Sequence, residues 1–95
     1  MTEPEFNATG VRIERWPRSL TRAGQVVVRD GSVALLTSYG KVIDSAPVSA
    51  VQAYKPLFAS QDRALATLNG HRYSLTLGSA DRFIDAVEAA RSTRT

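Results

Sequence analysis

The chain contains no cysteine, so neither a disulfide framework nor a thiolate metal site can be part of it. It has one histidine, His71, and a lone imidazole without thiol partners does not make a zinc set. We expect no metal and no cofactor. Uninterrupted apolar runs are only a few residues long, far short of the stretch that a membrane-spanning helix requires. The opening residues, Met1-Thr2-Glu3-Pro4-Glu5-Phe6, are acidic and polar, the opposite of a secretory leader. The expected setting is the cytoplasm, at most peripheral to a membrane. Catalytic signatures are missing as well. No Gly-x-Ser-x-Gly elbow accompanies the serines, and the six glycines are scattered at turns rather than gathered into a phosphate-cradling loop. The expectation is a chain that is not an enzyme.

What is present suits one small globular domain. Of the 95 residues, 43% are hydrophobic and 22% charged, a composition able to close a single core. The net charge of +3 is carried unevenly, by ten arginines against two lysines. Two explanations stand side by side. Guanidinium groups present a planar fork suited to phosphate and carboxylate, whereas a high-GC coding bias would also enrich arginine together with the abundant alanine.

Punctuation along the chain is dense and strand-like. Val11-Arg12-Ile13-Glu14-Arg15-Trp16 alternates apolar and polar residues and is stopped by Pro17. Gln25 to Arg29 and Ser32 to Thr37 are β-prone runs separated by Asp30-Gly31, the pairing expected of a type I′ hairpin. Tyr39-Gly40 turns the chain into Lys41 to Asp44, and Pro47 interrupts it before Val48 to Tyr54. A second hairpin runs from Ala64 through Asn69-Gly70 to Leu77, with Tyr73, Leu75 and Leu77 on one face. Strands are predicted at about 11–16, 25–29, 32–37, 41–45, 48–54, 64–69 and 71–77. Residues 55–63 are the longest predicted loop.

After Gly78 the period changes. Ser79 is a good helix N-cap, Asp81 and Asp85 lie near the start, and Arg91 and Arg94 near the end, an order that complements the helix dipole. Phe83, Ile84, Val87 and Ala90 line one stripe of a helix predicted over 79–92. Residues 1–9 are read as a flexible tail, 10–92 as the domain, and 93–95 as a fraying end.

About seven antiparallel strands closed by a C-terminal helix is the element order of the pleckstrin-homology-like fold. The texture resembles the short bacterial members of that group. The resemblance is carried by Asp30-Gly31 through Thr37-Ser38-Tyr39-Gly40-Lys41-Val42-Ile43, by Pro47-Val48-Ser49-Ala50-Val51, and by Leu68-Asn69-Gly70-His71-Arg72-Tyr73-Ser74-Leu75. It implies a mainly β domain of two bent antiparallel sheets, forming a barrel or sandwich capped by one helix. It also implies a non-catalytic interaction module. Members that bind phosphoinositides carry spaced basic residues from the first strand into the second. Here Val26, Val27 and Val28 leave the second strand without the inner basic residue, and Phe83 stands where eukaryotic members have a helix tryptophan.

One cluster rises above this background. Arg12, Arg15, Arg18 and Arg22 surround Trp16, and Glu14 is the only acid among them. Guanidinium groups interleaved with an aromatic ring could contact phosphate and a base or headgroup together. Equally, Trp16 could belong to the core or its rim, with the arginines simply solvated. The leading expectation is a module binding a protein or peptide partner at an exposed strand edge. The alternative is an anion-binding module for anionic lipid headgroups or nucleic acid, acting through the Arg12–Arg22 segment.

Overall fold

The structure, a computed structural model, describes residues 6–15, 17–56 and 62–92. Its strands are β1 (Phe6–Arg15), β2 (Arg18–Arg29), β3 (Ser32–Leu36), β4 (Val42–Pro47), β5 (Gln52–Tyr54), β6 (Arg63–Leu68) and β7 (His71–Thr76). A single 3-10 turn, Val48–Ala50, precedes β5, and the helix α1 spans Ala80–Ser92. All neighbouring strands are antiparallel, and their order is β4-β3-β2-β1-β7-β6-β5. The two expected sheets are thus hydrogen-bonded into one, because β1 pairs with β2 along its length and with β7 at Arg12–Glu14.

That sheet curls until its β4 edge reaches the hairpin of β6 and β7. Asp44 of the edge strand β4 accepts a 2.6 Å hydrogen bond from the Tyr73 hydroxyl of β7. Alternate residues of every strand fill the enclosed space, among them Val11, Ile13, Val26, Val28, Val33, Leu35, Leu68 and Leu75. The helix closes the core with Ala80, Phe83, Val87 and Ala90, all buried and spaced to form one stripe. Arg91 anchors its far end by donating to the carbonyls of Val48 and Val51.

Three sequence expectations need correction. Phe6 to Thr9, read as part of a tail, form the first half of β1 and pair with Gln25 to Val28. The Phe6 ring lies 5.7 Å from that of Phe83, so an aromatic contact with the helix draws this segment onto the sheet. Residues 18–24, which lie between the predicted strands 11–16 and 25–29, are the beginning of β2, and only two residues connect it to β1. The polar sequence there reflects an exposed, bulged ribbon whose pairing shifts register between Thr9 and Val11, Val11 and Ile13, and Ile13 and Glu14. Val48 to Ala50 leave the predicted fifth strand for a 3-10 turn. Its three-residue period lets Val48 and Val51 both enter the core. What the sequence predicts for residues 1–5, Trp16, 57–61 and 93–95 lies outside the described residues.

Candidate functional site

The long hairpin of β1 and β2 and the shorter hairpin of β6 and β7 meet because the first and last strands pair. Arg12 stands opposite Thr76, Ile13 opposite Leu75, and Glu14 opposite Ser74. Ile13 and Leu75 are buried, so Arg12, Glu14, Ser74 and Thr76 face outward. Pairing of β7 with β6 and of β6 with β5 extends this outer face by register. One row reads Arg12, Thr76, Arg63, the next Glu14, Ser74, Leu65, Tyr54, and the third Arg72, Thr67, Gln52.

Two shallow depressions open on this face and share Ser74. The larger, about 420 Å³, is lined by Arg15, Leu65, Gly70, His71, Arg72 and Ser74. A smaller one of about 180 Å³ lies between Glu14, Pro17, Arg18, Arg63 and Ser74. Arg15, Arg18, Arg63 and Arg72 therefore converge here, and Arg12 stands in the same outward row as Arg63. Among the described residues none of Arg12, Arg18, Arg63 and Arg72 forms an ion pair; Lys55 and Asp81, 3.4 Å apart, are the pair that does.

Each arginine expected from the sequence has a definite place. Arg12 is exposed in the first row of the face. Arg15 ends β1 opposite Arg18, the first residue of β2, so two cations face each other across the hairpin tip. Arg15 also reaches across to β7. Its guanidinium lies 3.4 Å from His71 Nδ1. Arg22 is exposed on the bulged part of β2 and lines neither depression. Trp16, the remaining member of the predicted set, is not among the described residues.

Beside the face, at the mouth of the curled sheet, lies a polar latch. Asp44 accepts from Tyr73 and, at 2.6 Å, from the side-chain amide of Asn69; its other contact is the Ser45 N–H at 2.9 Å. Asn69 also donates to the Ser45 carbonyl at 2.9 Å. Burial pushes the Asp44 carboxyl up, but the bonds from Tyr73, Asn69 and Ser45, with the charge of His71, together hold it below its usual value. Burial and the facing carboxylate push the Tyr73 hydroxyl up to about 12, a rise that Arg15 opposes. The latch occupies both backbone groups of Ser45, so the β4 edge is closed to strand addition at its middle.

Sequence reasoning missed Arg63, His71, Arg72, Ser74, Leu65 and Tyr54 as members of this face. Alternation placed Arg72 and Ser74 outward, but nothing in the spacing announced that β1 would lie beside β7.

Comparison with solved structures bears on the architecture. The chain superposes over its full length on the pleckstrin homology domain of mouse ethanol decreased 4 protein, covering 94% of that domain, with a TM-score of 0.69 and 10% identity. The fold is pleckstrin-homology-like. Over 94% of its length it also matches Vav1, solved with an allosteric inhibitor, with a TM-score of 0.65 and 12% identity. Over 95% it matches the tandem PX-PH domains of Bem3 from Saccharomyces cerevisiae, with a TM-score of 0.63 and 14% identity. It spans 18% of the Vav1 chain and 43% of the Bem3 chain. No protein-family model matches the sequence, and no curated protein does.

Proposed function

We propose that this protein is a non-catalytic interaction module that holds an anionic partner on the outer face of β1, β7 and β6. The observation that carries the reading is that Arg18, Arg63 and Arg72 line depressions on that face and Arg12 stands in its first row, with no carboxylate paired to them among the described residues. Arginines that stand on paired strands keep fixed backbone positions, so a ligand's charges meet them without first ordering a loop. The shifted acid–base pair among the described residues, Asp44 and Tyr73, is consumed in holding the mouth of the sheet together. This supports a binding role rather than a reaction. Docking at a strand edge, the other expectation, is restricted by the latch on β4 and by the three-residue length of β5.

The test is retention on anionic against neutral vesicles and on heparin, at about 50 and about 300 mM salt. Charge-driven binding should fall steeply between the two. Combined replacement of Arg18, Arg63 and Arg72 by Ala should abolish retention while leaving the melting temperature nearly unchanged, since all three are exposed. Absence of retention by the wild-type protein on every anionic surface at low salt would refute the reading.

A further inference from the structure

Resting on that reading, we infer that the partner is an extended acidic segment of a protein, in which two acidic residues four positions apart flank an apolar one. The rows of the outer face define this pattern. The first holds Arg12 and Arg63 on either side of Thr76, and the third holds Arg72. Thr76 and Arg72 are four residues apart on β7, so these basic rows are separated by roughly 14 Å at about 3.4 Å per residue. Between them runs Ser74, Leu65 and Tyr54. Tyr54 is 42% exposed, and Leu65, which lines the larger depression, is half-buried.

An extended chain laid along the strand direction has the same repeat. Its residues i, i+2 and i+4 point to one side at intervals of about 6.8 Å. Carboxylates at i and i+4 then reach the two basic rows, while an apolar side chain at i+2 meets Leu65 and Tyr54. Arginine and tyrosine around a partly apolar centre is the composition of protein–protein contacts. A uniform anionic surface fits less well. Glu14 sits in the middle row and repels phosphate there, and the apolar stripe would gain nothing from a polyphosphate backbone.

The probe is a fluorescein-labelled peptide with Glu-Thr-Leu-Thr-Glu between glycines, titrated by fluorescence anisotropy. Its controls are the rearranged Glu-Leu-Thr-Thr-Glu and a version with Gln for both Glu. The first peptide should bind about tenfold or more tightly than either control, a difference of about 1.4 kcal/mol. Arg63→Ala and Arg72→Ala should each weaken it. Tyr54→Ser should weaken it about fivefold or more. Leu65→Ser should do the same, with its melting temperature measured alongside. If the rearranged peptide binds equally well, or Tyr54→Ser changes nothing, the segment is not what the face selects. Should vesicle retention still depend on the arginines in that case, the anionic reading survives and only this inference falls. Should no anionic probe bind, both fall.

Discussion

At the scale of single residues, two positions bear constraints that composition alone conceals. Gly24 lies buried on β2 where a Cβ would meet the Leu36 carbonyl oxygen at 2.4 Å and Thr21 Cγ2 at 2.6 Å. Backbone oxygen cannot step aside as a side chain can. Gly24→Ala should therefore cost about 1–3 kcal/mol through overpacking, read as a lowered denaturation midpoint; an unchanged midpoint would mean that the two strands do not approach this closely. Tyr73 is the second position. Loss of its bond to Asp44 in Tyr73→Phe should cost about 1 kcal/mol at neutral pH. The folded protein holds the Tyr73 proton more tightly than the unfolded chain, whose hydroxyl titrates near 10.0. The contribution is complete below that value and is lost as the pH rises toward about 12. Melting curves of wild type and variant should accordingly converge over that interval. Asp44 has the opposite sign. Its contribution is present above the usual carboxyl value of 3.8 and disappears as the pH falls below it.

At the scale of elements, both two-residue hairpins have the chemistry that their dipeptides announced. Asp30 and Gly31 have φ of 52° and 75°, and Asn69 and Gly70 have 52° and 81°. A β-branched residue in this left-handed region is strained. Gly70→Val should destabilise by about 1–2 kcal/mol for that reason alone, because nothing lies within 4 Å of the Cβ it would acquire. Equilibrium unfolding measures this, and no loss of stability would exclude the type I′ turn. The first strand supplies another outcome. Since Phe6 packs on Phe83 and its segment pairs with β2, Phe6→Ala should cost about 1–3 kcal/mol, less than a fully buried Phe. A flexible tail would give no change in thermal denaturation.

At the scale of the whole molecule, the excess of positive charge is concentrated rather than spread. Arg12 and Arg63 flank Thr76 from opposite sides, and Arg15 faces Arg18 across a hairpin tip. Like charges in such register repel, and mobile ions screen the repulsion. Raising salt from about 10 to about 200 mM should stabilise the free protein by a few tenths of a kcal/mol, up to about 1. Scanning calorimetry should show a higher melting temperature in wild type. The gain should shrink when Arg18, Arg63 and Arg72 are replaced by Ala. Equal salt responses would show that these cations do not act on one another.

Much of the element order was legible because it rests on local physics. Asp-Gly and Asn-Gly favour positive φ wherever they occur, the alternation through Tyr73, Leu75 and Leu77 needs a core on one side only, and Phe83, Val87 and Ala90 repeat with the helix. Phe6 to Thr9 were misread because their burial depends on a partner strand and a helix far along the chain. Residues 18–24 were misread because bulges erase the two-residue period on which a strand reading depends. The candidate site was half visible, since Arg12, Arg15 and Arg18 stand close in sequence. Its other half, Arg63, His71 and Arg72, came from the pairing of β1 with β7. Turns, strand faces and the helix stripe followed from neighbours in the chain. Which faces would lie side by side was decided only when the sheet curled to bury its apolar side and carried the polar sides of its first and last strands together.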